Sequence, residues 1–194
     1  MPARRPRLSE AVAAPTLAEA ASVVAFWREA GEKRWFTKDA AFDRNFGERF
    51  RELHLAAAAR RCDDWLATTE GALALLLLLD QYPRNVFRGT GHMYATDPLA
   101  RFFAKRALDA GLDAQTPVDL RLFFYLPLSH SEEIGDQQRA LALHRPLGDV
   151  ATRHAQRHLD IVARFGRFPH RNPMLGRTTT PDEAEFLRAG GFAG

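Results

Sequence analysis

Apolar residues recur along this chain at intervals of three and four, and cap and stop signals cut the recurrence into segments. "PTLAEAASVVAFWREAG" places Thr16 to cap a helix, Glu19 to close a capping box and Gly31 to stop it. "TKDAAFDRNFGERFRELHLAAAA" repeats Phe42, Phe46, Phe50 and Leu53 at helical spacing, and a third helix is predicted over about 68–81. "TDPLARFFAKRALDAG" opens with Thr96 and Pro98 and closes at Gly111. "TPVDLRLFFYLPL" opens at Thr116 and Pro117 and breaks near Pro127. "SEEIGDQQRALALHRP" and "GDVATRHAQRHLDIVARFG" come next. "TPDEAEFLRAGG" then sets Thr180, Pro181, Glu183 and Gly190 in N-cap, first-turn, capping-box and stop positions. No strand-like alternation interrupts them. The prediction is an all-α fold of about eight helices in an antiparallel array, one domain over 14–194 behind a flexible tail at 1–13.

The runs "ALALLLLL" and "LFFYL" are apolar all round, which predicts burial at the centre with amphipathic helices covering them. Short connections would make successive helices antiparallel and bring the C-terminal ends of alternate helices to one face. Those ends read "GEKRWF" (31–36), "DQYPRNVFR" (80–88), "SHSEE" (129–133) and "RFGRFPHRN" (164–172). Each alone reads as a cap, because Arg and His satisfy the orphan carbonyls of a helix end. Four together, two of them on the central apolar helices, predict a polar site. "YPRNVFRGT" (82–90) also faintly echoes "FPHRNPMLGRT" (168–178).

Composition narrows the function. With 194 residues, 46% of them hydrophobic, the chain supports one sizeable core. A formal charge of only +3 and no basic stripe argue against nucleic acid. The longest apolar run, between Glu70 and Asp80, falls short of the roughly 20 residues that cross a bilayer. The N-terminus lacks the apolar core of a secretory signal. Cys62 stands alone, which excludes an internal disulfide, reads as a small hydrophobe and fits a reducing cytoplasm.

On a helical wheel, Leu147, Val150, Ala151, Ile161 and Phe165 form one stripe with His154 and His158 in its middle. Buried there, the two imidazoles would need partners, expected from the acids at 80–81 or 130–137. Their i, i+4 spacing suits zinc, but no Glu follows the first His, and no metal or cofactor is assigned. Arg84, Arg88, Arg164, Arg167, Arg171 and Arg177 offer forked donors for carboxylate or phosphate, and Asn85 and Asn172 add neutral hydrogen bonds. A plainer reading makes Ser131 a cap, has Glu132 and Glu133 favour a helix start, and turns the whole cluster into a stabilising network.

Four motifs in order, "LDQYPRNVFRGT", "ATDPLA", "LPLSHSEEIGDQ" and "HLDIVARFGRFPHRNPMLGR", resemble the bacterial domain of unknown function 924 family from about Val23 to Phe192. The resemblance implies an all-α fold similar to tetratricopeptide-repeat arrays and brings no activity, cofactor or catalytic residue. His154 lies outside the motif, so weight moves to His130 and His158, on different helices. The expectation is a polar pocket with His130, His158 and Glu132 as candidate catalytic residues, in which His130 or His158, tuned by a neighbouring carboxylate, would transfer protons. Asp80, Arg84, Asn85, Arg167, His170, Arg171 and Asn172 would bind a small anionic ligand or peptide carboxylate. The rival is a protein- or peptide-binding module whose polar cluster is structural. The oligomeric state is left open.

Overall fold

The computed structural model describes residues 13–192, so the expected tail lies outside it except for Ala13. Ten α-helical segments succeed one another in the described chain: α1 (Leu17–Ala30), α2 (Glu32–Trp35), α3 (Ala40–Ala58), α4 (Thr69–Leu76), α5 (Tyr82–Val86), α6 (Asp97–Asp109), α7 (Val118–Ser129), α8 (Ile134–His144), α9 (Asp149–Phe165) and α10 (Pro181–Arg188). No strand occurs among the described residues. None of their helices is long and apolar enough to cross a membrane. Both expected capping boxes form, Thr16 with Glu19 and Thr180 with Glu183.

The Leu-rich α4 is buried from Gly71 to its end, and α1, α6 and α7 pack around it. Phe26, Trp27, Phe42, Phe46, Phe50 and Phe123 pack ring against ring beside it. α8 and α9 extend the array from α7. A separate, smaller cluster of Ile161, Val162 and Phe168, with Phe165, Phe186 and Phe192, forms under α9 and α10.

Three expectations need correction. α7 runs through Pro127 to Ser129 rather than breaking at it. Thr96 does not cap α6 with its side chain. The buried face of α9 is carried by Ala155, Ile161 and Val162, while Val150 is 63% exposed and His154 is exposed, so the true stripe is shifted by about a residue.

One departure from regular helix shapes the polar end of the molecule. Pro83 has no N–H to give to Leu79, four residues back, and the chain answers with a π-turn over Leu77–Gln81 joining α4 to α5. The Tyr82 N–H bonds to the Leu77 carbonyl, five residues back. Side chains supply donors to the carbonyls along the turn. His54 Nδ1–H donates to Leu78 O at 2.9 Å and Thr96 Oγ1–H to Leu79 O at 2.5 Å. Arg84 Nη1–H donates to Asp80 O at 2.9 Å and Asn85 Nδ2–H to Gln81 O at 2.8 Å. Thr96 therefore serves the π-turn. Thr96→Val keeps the shape and removes that donor, so it is expected to lower stability by about 1–2 kcal/mol in urea denaturation; an unchanged midpoint would mean that Leu79 O finds another donor.

Candidate functional site

The π-turn aims Asp80 into the polar end of the molecule, where the residue is 1% exposed. Its Oδ1 accepts from His130 Nδ1–H at 2.8 Å and lies 3.1 Å from Arg84 Nη1, and Oδ2 accepts from Gln81 Nε2–H at 2.6 Å. Burial pushes this carboxyl up, but the Arg84 charge and the hydrogen bonds from His130 and Gln81 outweigh burial and hold it below the usual range. Burial and the nearby Arg84 push His130 down, so its neutral ring donates Nδ1–H to Asp80 and leaves Nε2 as a base.

Asp97 links this pair to the C-terminal segment. It takes Arg84 bidentately, at 2.8 and 3.0 Å, and Arg171 Nη1 at 3.4 Å. Arg171 Nη2–H donates to the His130 carbonyl at 2.9 Å, and its guanidinium lies between the rings of Tyr94 and Phe168 at 4.7 and 4.6 Å. Two arginines thus meet two carboxylates around a neutral histidine.

Beyond Arg171 the polar groups run out of partners. His158 Nδ1, His170 Nδ1 and Arg171 Nε are buried without a hydrogen bond among the described residues. The His158 ring is 6.5 Å from His130, 5.4 Å from Phe168 and 4.8 Å from Phe192, and His170 is 5.2 Å from Phe192. Burial first, then neighbouring positive charge, takes His158 down to about 3 and His170 down to about 4. Phe192 packs edge-on against both rings.

The structure therefore gathers Asp80, Arg84, His130, His158, His170 and Arg171. The remaining candidates lie beside them with other duties. Glu132 Oε1 accepts from Phe168 N–H and Arg177 Nη1–H, fixing the turn that presents His170 and Arg171. Arg167 and Asn172 both donate to the buried Glu183, and Asn85 serves the π-turn and Arg88. The expected acid partner for His158 belongs to His130 instead. Of the four converging helix ends, "GEKRWF" stays away: Trp35 stacks on Trp27, and Arg34 lines an open cleft of about 360 Å³ with Phe26, Phe42 and Arg49. Sequence reasoning passed over Asp97, Glu183 and Phe192 as site residues. "TDP" and "TPDE" signal helix starts, and both acids serve a second purpose that a cap motif hides.

Because unfolding frees His158 and His170 to bind protons near 6.5, the unfolded chain takes up more protons as pH falls below that value. Stability is present in full above pH 6.5 and is expected to fall progressively toward pH 4 and then 3. A urea series across that window should show a shallower decline in His158→Leu than in the parent; parallel slopes would mean that His158 titrates normally.

The chain matches the family described as Bacterial protein of unknown function (DUF924) over residues 23–191. It is similar to the solved structure of ATU0120, a protein of unknown function from Agrobacterium tumefaciens, with 59% identity and a TM-score of 0.89 over 91% of this chain and 100% of that one. No curated protein matches it.

Proposed function

The chain belongs to the DUF924 family of bacterial proteins of unknown function, and we propose that it binds a small anionic ligand beside the Asp80–His130 pair, with His130 moving a proton. One observation carries the reading: among the described residues, His158 Nδ1, His170 Nδ1 and Arg171 Nε are buried without a hydrogen-bond partner next to a carboxylate-oriented imidazole. Each buried polar group without a partner costs about 1–3 kcal/mol, a cost that bound ligand or water atoms would remove. The π-turn under Asp80 supports the same reading, since π-bulges concentrate at functional sites.

In this arrangement Arg171 supplies the grip, because its 3.4 Å contact with Asp97 is the loosest ion pair in the cluster and its Nε is free. An anion drawn to Arg171 would lie close to His130, with neutral His158 and His170 as further hydrogen-bonding groups. His130 Nε2 is the proton acceptor, with Asp80 fixing the tautomer and orientation. Glu132 acts through the turn it holds rather than on the ligand. Phe192 must move or reorient for a ligand to reach His158 and His170. A cytoplasmic setting belongs to the same proposal; the buried Cys62, whose thiol burial raises to about 11, fits it as an unreactive side chain.

The rival reading, a purely structural clasp, draws on Arg167–Glu183 and Arg177–Glu132, which consume those arginines internally. Thermal-shift titrations with inorganic phosphate, malonate and acetate separate the two. A saturating anion at about 100 times its dissociation constant is expected to add about 2.7 kcal/mol, a rise of roughly 5–10 °C. The rise should vanish in Arg171→Lys and His130→Asn and persist in Arg167→Lys. A flat response from every anion, or an undiminished one in Arg171→Lys, would leave the clasp as the function of these residues.

A further inference from the structure

Arg60 carries the one positive φ, 63°, taken by a residue other than glycine among the described residues; Gly31, Gly89, Gly111, Gly148, Gly166, Gly176 and Gly190 hold the others. The position is the left-handed end of α3. Arg60 N–H bonds to Ala57 O at 3.0 Å and Arg61 N–H to Ala56 O at 2.9 Å, the paired closing bonds that strongly favour glycine in this place. An arginine here works against backbone preference, which directs attention to what its side chain does.

That side chain reaches α6. The Arg60 guanidinium lies 5.0 Å from the ring of Phe102 and 5.5 Å from that of Phe103, and Arg106, one turn along α6, lies 5.6 Å from Phe102. Phe102 is 39% exposed although it is a large apolar ring, and the two guanidinium groups flank it. Arg101 and Lys105 continue the face and share a single carboxylate, that of Asp136. Arg60 pairs with Asp63, while Arg61 and Arg106 are exposed and make no ion pair among the described residues. Arg60, Arg61, Arg101, Lys105 and Arg106 meet Asp63, Asp64, Asp109 and Asp136 around this face, leaving it positive in a chain whose total charge is only +3.

We propose that this face, Arg60, Arg61, Phe102 and Arg106, docks a short acidic segment of a partner protein carrying an aromatic or aliphatic residue. The forked donors of arginine suit carboxylates, and Phe102 offers apolar contact between them. The patch covers the end of one helix and about 7 Å along α6, roughly five residues at 1.5 Å each, which is too small to track a nucleic-acid backbone or a membrane surface.

Fluorescence anisotropy tests it with a labelled peptide of glutamates around one phenylalanine, against the same peptide with every glutamate replaced by glutamine. The parent protein is expected to bind the acidic peptide saturably, more weakly as salt rises, and to ignore the glutamine version. Arg106→Glu and Arg60→Gly should each weaken binding about tenfold. Arg60→Gly keeps the turn in its preferred residue, so lost binding in a variant with unchanged circular dichroism is not lost folding. No binding at low salt, equal binding of the glutamine peptide, or unchanged affinity in both variants would overturn the proposal. So would tighter binding to single-stranded DNA or phosphatidylserine vesicles than to the peptide.

Discussion

Everything at the polar end depends on keeping one carboxylate ionised inside an apolar helix. Asp80 comes directly after a run of leucines that are buried without exception, and taking a lone charge there would cost more than most single interactions return. Arg84, His130 and Gln81 provide the compensating contacts, and each comes from a place the backbone had to arrange. The π-turn swings Asp80 toward α7, the start of α6 supplies Asp97 as a counterweight to Arg84, and the C-terminal segment adds Arg171. A buried ion cluster of this sort adds little net stability over well-packed apolar residues, but removing one member leaves the rest uncompensated. Its effect is to specify one arrangement.

The arginine-rich stretch 164–177 divides by neighbour. Arg167 and Asn172 turn to Glu183 and tie α10 down; Arg177 turns to Glu132 and ties the loop to the start of α8. Between them His170 and Arg171 face inward, presented by a turn that Glu132 anchors through the Phe168 N–H. Positive charge accumulates there because three separate acids, each on a different element, wait to receive it. Among the arginines of this stretch, Arg171 is the one that reaches Asp97 and the His130 carbonyl beside Asp80.

Helices were legible because caps, stops and three-four spacing are local, and Thr16–Glu19 and Thr180–Glu183 behave as their letters indicate. Burial of the two apolar runs was equally plain. The π-turn was hidden: Pro83 reads as a helix end, whereas four side chains from three parts of the chain let the helix continue past it. The phase of α9 failed for a related reason, since Val150 lies at an exposed helix start where apolar letters carry no burial information. Asp80, His130 and Arg171 could be named from sequence because they cluster at helix ends. That His158 Nδ1 lacks a partner among the described residues while His130 has Asp80 depends on which face α9 presents, and no spacing rule reports it.

The two apolar clusters have a consequence of their own. Ile161, Val162 and Phe168 do not merge with the central core: α9 packs on α8, and the segment that follows α9 is tied to the rest by polar contacts at Asp97, His130 and Glu132. A chain built this way has two levels of cooperativity. The central core is expected to open only with global unfolding, and the segment from residue 166 through α10 to open at lower free energy once those polar ties loosen. Amide exchange would then be layered, slow in α4 and α7 and faster beyond residue 165. The histidines under Phe192 would meet solvent on the timescale of that detachment, without the leucines of α4 ever becoming wet.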